Sequence, residues 1–486
     1  MSKKTTVILS VLLALVAVLG AVSSAIAFMV GQSGITELEA RLYEAEEARE
    51  ALSVNVDVLE ATKLQLEEQK KELEKMIADS GELFGDEIDA LKDEIEKKSA
   101  DIAALEADIE RYRTVFNIDV REQARLIESI VDYIETKCPY VRVYTPIDSS
   151  VTAGPEEAPE AYTDQLVAVS TLIEKERSAV TADVPLFTDE ELAMSGLTRE
   201  ELTYKRLLER VLADPLVYYP NVSVYYEDLS TGYHFDYNSK TAYNSASVVK
   251  APYIMSVFEA VSKDEKAYLE ALASEGKAPE MIDTDGDGIP DKVKIEYSNP
   301  KYNLYETLIY DKATMYKSGS GAIQNMADGT EFTYMDLARH VLIDSDNIAY
   351  AQIRNRFGYS TMTALAYRAG ANISGSTMTA KGAGRLFKEI YEFTQEDDTY
   401  GTVLRDAMVK SGHTVIIPYG VSPYKAMHKY GWDEDSYHDA AIVLYGDKPY
   451  VLAVFSDLDN GGNAVNEYLR GIVKMVNKLH GGFYQN

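Results

Sequence analysis

Between Ile35 and Tyr112 the chain has no proline and is built mainly from Glu, Lys, Ala and Leu, which predicts helix throughout. Ile88, Leu91, Ile95, Ile102, Leu105, Ile109 and Tyr112 follow alternating steps of three and four, with Lys98 at the one polar seam position. Leu38, Leu42, Ala45, Leu52, Val56, Leu59, Leu66, Leu73 and Ile77 keep the same spacing in another phase, and Gly81 and Gly85 fall where the phase changes. A seven-residue repeat held this long predicts a coiled coil rather than a globular face, which drifts with a 3.6-residue period. Residues 35–112 are therefore expected to make the chain a homo-oligomer, through a zipper weakened by alanine and polar seam residues. A lone charged helix lying along its own domain is the alternative.

Upstream, Lys3 and Lys4 in residues 1–6 precede Val7–Val30, a run without a charged residue. A bilayer needs about 20 such residues, and the leading lysines place the N-terminus inside and the rest outside. Residues 7–30 are thus expected to be a single-pass membrane anchor. Ala25-Ile26-Ala27 also has the spacing of a signal-peptidase site, which leaves a cleaved signal sequence and a secreted protein open. Both readings export the chain and put the remainder outside the cell membrane.

The formal charge of -31 repels phosphate backbones and anionic headgroups, which excludes nucleic acid as an expected partner. Cys138 is the only cysteine, so no intramolecular disulfide forms and the fold rests on packing. Residues 113–217 read as a helical stalk or linker with amphipathic helices near Gln123–Thr136, Asp164–Arg177 and Thr198–Ala213. Ser149–Ala161, with Pro155 and Pro159, is expected to be flexible.

From residue 218 the pattern changes. Val222–Tyr226 alternates as a strand, Ser230-Thr231-Gly232 turns the chain, and Tyr233–Tyr237 completes a hairpin. Helical stretches are expected from Ser247 and from Asp336 to Phe357. Apolar strands follow at Ala440–Tyr445 and Tyr450–Ser456, parted by Gly446-Asp447-Lys448-Pro449, and then a closing helix over Ala464–Leu479. Strands, helices, strands and a last helix predict an α+β domain over residues 218–486, an antiparallel sheet flanked by helices with a helical subdomain.

Three short motifs in this region carry the chemistry: Ser247-Val248-Val249-Lys250, Ser345-Asp346-Asn347 and Lys429-Tyr430-Gly431. On a helix, residues three apart share a face, so the Lys250 amine can take the proton of the Ser247 hydroxyl without any histidine. The six histidines show no paired metal spacing, and His438-Asp439 reads as part of a core strand.

In order and type these motifs resemble S-x-x-K, S-D-N and K-T-G, the set shared by class A β-lactamases and penicillin-binding proteins. Gly319-Ser320-Gly321-Ala322-Ile323-Gln324 precedes Leu337-Ala338 and the second motif much as in that family. The resemblance covers residues 218–486 and implies a β-lactamase-like fold. It implies that Ser247 attacks a carbonyl and is acylated while Lys250 accepts its proton. Ser345 relays a proton to the leaving nitrogen, Asn347 holds Lys250 and the substrate amide, and Lys429 supplies positive potential for a substrate carboxylate. The oxyanion sits between the backbone N–H groups of Ser247 and Trp432, on the strand that carries Tyr430 and Gly431. Asp346 is expected to be structural. No cofactor is implied for catalysis, and the implied partner is a β-lactam or a peptidoglycan peptide ending in D-Ala-D-Ala.

Two departures stand out. Tyr430 replaces the short hydroxyl residue of the third motif, and no Asp or Glu lies between Asn347 and Glu389, where hydrolytic members carry the glutamate that activates the deacylating water. Slow deacylation is therefore expected. A β-lactamase, a D,D-peptidase and a non-catalytic envelope-binding or assembly module displayed on the coiled coil all remain open. A separate signal lies in an acidic insertion near residues 263–300. Asp283, Asp285, Asp287 and Asp291, with the Ile289 carbonyl and Gly288, match the opening of an EF-hand-type loop, although Lys294 stands where the bidentate glutamate belongs. A structural calcium ion is the expectation there, and a solvated acidic turn the alternative.

Overall fold

The computed structural model describes residues 62–71, 74, 92–104, 106, 120–148, 151, 154–155, 157–180, 185–282, 292–371, 373–374, 376–459 and 462–484. The expected anchor at 7–30 and the Asp283–Asp291 loop lie outside these residues, as does most of 35–112. No helix among the described residues is long and apolar enough to cross a membrane. The chain divides into two compact units, one of Met1–Val131, Glu227–Phe235 and Met475–Asn486, the other of Asp132–Tyr226 and Asp236–Lys474.

Residues 62–71 and 92–104 are helical, as the composition predicts. Lys63 Nζ pairs with Glu106 at 2.7 Å, and Lys98 Nζ donates to Gln69 Oε1 at 3.0 Å. Contacts that advance along one stretch retreat along the other, so these pieces run antiparallel within one chain. Lys98, the polar seam residue, thus finds its partner in the other half of the same segment.

Residues 113–217 hold more than a stalk. Helix α1 (Val120–Thr136) leads into strands β1 (Tyr140–Pro146) and β2 (Tyr162–Ala168), then α2 (Val169–Ala179), α3 (Asp189–Ser195), α4 (Arg199–Leu212) and β3 (Val217–Tyr218). The strands form a sheet in the order β2-β1-β3, so the helix expected from Asp164 begins only at Val169. Tyr162–Ala168 is a β-rich run that pairs residue for residue with β1, and pairing overrides its helical spacing. Val141, Val169, Ile173, Leu207, Leu208, Val211 and Val217 form the core of this layer. Thr188 and Thr198 each cap their helix with a reciprocal bond to a glutamate three residues on. Arg142 Nη2 donates to Asp457 O at 2.7 Å, which ties β1 to the domain that follows.

The larger sheet has the order β13-β14-β15-β4-β5, with β4 Val222–Asp228, β5 His234–Tyr237, β13 Lys425–Asp433, β14 Ser436–Leu444 and β15 Tyr450–Ser456. Strand β15 is central and buried along its whole length, as its continuous apolar run requires. Between the two halves of the sheet come β6 (Ala242–Asn244), α5 (Lys250–Ser274), the ribbon β7–β8 (Met281–Ile282 with Lys292–Val293) and the pair β9–β10 (Thr307–Ile309 with Glu331–Thr333). Helices α6 (Tyr334–Ile343), α7 (Asn347–Phe357) and α8 (Ser360–Arg368) follow, then β11 (Ile373–Ser374), β12 (Thr377–Thr379), α9 (Ala380–Glu396) and α10 (Tyr400–Val409). Helix α9 packs on β14 and β15, and α11 (Asn463–Tyr484) closes the chain with one buried apolar face.

The α+β arrangement expected over residues 218–486 is present, with three corrections. Helix α5 begins at Lys250 rather than Ser247. The single helix expected over Asp336–Phe357 is two, broken at 344–346. The first part of the acidic insertion is the continuation of α5, fastened where Glu265 accepts from both Tyr297 and Tyr400 at 2.7 Å.

Candidate active site

Ser247 lies in the turn between β6 and α5. Val248 N donates to Ser245 O at 3.0 Å and Lys250 N to Ser247 O at 3.2 Å. Ala246 has φ 43, a conformation that costs an L-residue about 1 kcal/mol or more. Ser245 N donates to Ser376 O at 2.7 Å, holding the turn from below. Ser247 and Lys250, expected on one helix face, are instead joined by this turn, with Ser247 ahead of the helix and Lys250 its first residue.

Lys250 is buried at the first position of α5. Its Nζ donates to Ser345 O at 2.6 Å and Asn347 Oδ1 at 2.7 Å, with Ser345 Oγ at 3.4 Å. A neutral amine keeps two N–H bonds for the two short contacts and one lone pair to receive a proton. Burial brings its pKa down to about 8, against the opposing pull of Asp346. A measurable fraction is therefore a free base near neutrality.

Ser345 explains the break between α6 and α7. It has φ 57 and is fully buried, and this left-handed turn points its carbonyl at Lys250 while its Oγ accepts from Lys429 Nζ at 2.9 Å. Asp346 is structural, as expected. Its carboxylate caps α7 through Ile348 N and Ala349 N at 2.8 and 2.9 Å and accepts from Ile323 N at 2.9 Å. Asn347 Nδ2 donates to Ser318 O at 3.0 Å.

Lys429 is fully buried on β13, an edge strand that the sequence reading did not identify. Its Nζ also donates to Tyr430 O at 3.0 Å and stands 4.2 Å from the Tyr430 ring centroid. Burial, and then the charge of Lys250, hold its pKa well below the usual lysine range. Gly431 brings β13 against the turn: a Cβ there would meet Ser245 O and Ser247 N at 3.1 Å. This close approach sets the strand beside the Ser247 amide, where the Trp432 amide is expected to be the second oxyanion donor. The Trp432 side chain is itself exposed.

The departures have structural counterparts. Tyr430 packs against His413, with ring centroids 4.3 Å apart, so the phenol is a fixed wall. Glu389 is engaged by Arg368 Nε at 2.8 Å and is no stand-in for the absent glutamate. His438 is a core residue: its Nδ1 accepts from Ser456 N, its Nε2 faces Asn244 O at 2.8 Å, and burial pulls its pKa to about 4. Residues missed from the sequence are Tyr350 and Arg354 on α7, and His413. The first two stand three and seven residues after Asn347, on the same helix face, and that spacing was the available signal.

The family model described as the beta-lactamase enzyme family matches residues 207–298 and 296–479, more than half of the 486-residue chain. The chain belongs to this family. No curated protein sequence matches it. Among solved structures it is similar to a mutant of PBP-A in an acyl-enzyme complex with penicillin G, at 18% identity and TM-score 0.41, over 56% of this chain and 92% of that one. It is also similar to a β-lactamase from Sphaerobacter thermophilus, at 17% identity and TM-score 0.42, over 54% and 91% of the two chains. A class A β-lactamase from Mycobacterium abscessus matches at 15% identity and TM-score 0.39, over 54% and 94%.

A pH dependence follows from Lys250. A base with pKa about 8 must be neutral to accept a proton, so acylation rises about tenfold per pH unit below 8 and levels above it. Stopped-flow acylation rates between pH 6 and 9.5 check this.

Proposed function

We propose that the chain is an exported serine acyl-enzyme that reacts with a β-lactam or a D-Ala-D-Ala-type cell-wall peptide through Ser247, and that its acyl-enzyme hydrolyses slowly. The observation that supports this best is the convergence of two buried lysines on Ser345, with Asp346 committed to capping α7 and no acidic residue in the sequence between Asn347 and Glu389 to activate water. Lys250 takes the Ser247 proton as the hydroxyl oxygen bonds to the carbonyl carbon. The backbone N–H groups of Ser247 and Trp432 receive the oxyanion, each donor worth about 2.7–4 kcal/mol in other enzymes. Ser345, polarised by Lys429, returns a proton to the leaving nitrogen as the C–N bond breaks. Among the described residues of the site, Lys250 itself is the base left to deprotonate water.

A chromogenic cephalosporin tests the cycle. The expected trace is a burst of about one product per protein followed by a near-flat line; sustained rapid turnover overturns slow deacylation. Residues 7–30 are proposed to export and anchor the chain, and 35–112 to space the domain from the membrane, singly or as a homo-oligomer. The Asp283–Asp291 loop is proposed to bind calcium as a brace for the ribbon that flanks it. Calorimetric calcium binding by the full chain should then be lost with Asp285→Ala plus Asp287→Ala, and an unchanged isotherm rules the site out.

A further inference from the structure

A cavity of about 710 Å³ opens beside the Ser247 turn, lined by Asn244, Ala246, Val249, Tyr350, Arg354 and Tyr359 among others. Its size is that of a ligand pocket rather than a packing defect. Ala371, Ile373 and Ser376 from the short connection between α8 and β12 form part of its wall. Arg354 is the one charged side chain among its lining residues. Among the described ion pairs, Arg356 on the same helix pairs with Glu306 at 2.7 Å and Arg368 at the end of α8 with Glu259 at 3.0 Å, whereas Arg354 has no acidic partner. Its guanidinium instead lies 4.8 Å from the Tyr359 ring centroid and 5.7 Å from that of Tyr350. In a chain with 79 acidic against 48 basic residues, an exposed arginine with no acidic partner among the described ion pairs, lining a cavity beside the candidate nucleophile, is placed to receive a ligand's carboxylate.

The side of the reacting carbonyl that this cavity serves follows from what does not line it. Ser345, Lys429 and Tyr430, which stand on the leaving-group side in the proposed cycle, are not among its residues. The opposite side of the carbonyl carries the acyl part of the donor. We propose that the cavity is the acyl-side subsite and that Arg354 selects donors whose acyl part bears a free carboxylate, such as a peptide with an acidic side branch. This rests on the acyl-enzyme reading above and names the substrate class of that site. Tyr359 and Tyr350 flank the guanidinium, whose forked N–H groups suit a carboxylate. Tyr430 gives the complementary half: its bulk fills the place of a small hydroxyl residue on the leaving-group side, and discrimination passes to the acyl side.

Benzylpenicillin and its α-carboxy analogue carbenicillin differ only by a carboxylate on the acyl side chain, and the readout is the ratio of their second-order acylation constants on the full chain. The expected ratio favours carbenicillin, falls at least about tenfold in Arg354→Glu, and is partly kept in Arg354→Lys. A ratio unmoved by Arg354→Glu overturns the subsite and leaves the acyl-enzyme reading intact. If neither drug acylates Ser247, that reading fails, and binding decides the subsite separately. Calorimetry on Ser247→Ala with peptides matched except for a side-branch carboxylate then supports it if tighter binding of the diacid needs Arg354, and overturns it if Arg354→Glu makes no difference.

Discussion

Ser247→Ala is expected to abolish covalent labelling by any β-lactam, and Lys250→Ala to slow it by about 10²–10⁴-fold, the usual share of a positioned base. The two losses have different signatures. Without Ser247 no ester forms at any pH. Without Lys250 the hydroxyl remains, but the Ser345 carbonyl and Asn347 Oδ1 lose the donor that now sits at 2.6 and 2.7 Å. Residual labelling in Lys250→Ala should therefore lose the rise toward pH 8 that the amine imposes on the parent protein. Rates for both variants, with melting curves to confirm folding, check this. A Lys250→Ala protein that labels at the parent rate removes lysine from the base role.

The second large effect is on the scaffold. Gly321→Ala is expected to destabilise the domain by about 3 kcal/mol or more, the sum of a strained backbone and an overpacked contact. Gly321 has φ 123, and a Cβ there would stand 2.1 Å from Asp346 Oδ2 and 2.6 Å from Asp346 Cα. The turn cannot yield without moving the cap of α7, and with it Ser345 and Asn347. At about 2–4 °C per kcal/mol for a domain of this size, the melting temperature should fall by at least about 6 °C, and acylation should slow in the protein that remains folded. A melting temperature within 1–2 °C of the parent contradicts the tight approach.

The motif residues were legible because each is a polar group at a spacing that chemistry demands; Lys250 and Lys429 both reach Ser345, and the third motif runs against the Ser247 turn at Gly431. Strand β15 and the closing helix were legible from a continuous apolar run and an apolar face. Strand β13 was not, since Lys425–Asp433 mixes lysine, histidine and glycine, and its burial comes from what packs on it at the edge of the sheet. The layer over 140–218 was hidden for a related reason. Strand Tyr162–Ala168 is half exposed and carries no strong alternation, so only its pairing with β1 reveals it. The 35–112 repeat predicts a seam but not its partner, because a seam reads the same whether the partner is another chain or the segment's own second half. Arg354 carried only its seven-residue spacing from Asn347 in sequence, one arginine among several on amphipathic helices, and the cavity around it is what singles it out.

Intact-protein mass after incubation of the full chain with benzylpenicillin, followed by peptide mapping, tests the central claim most directly. The expected result is one added penicilloyl group per chain, located on Ser247 and still present hours after the free drug is removed. An unchanged mass, or an adduct on any other residue, contradicts it.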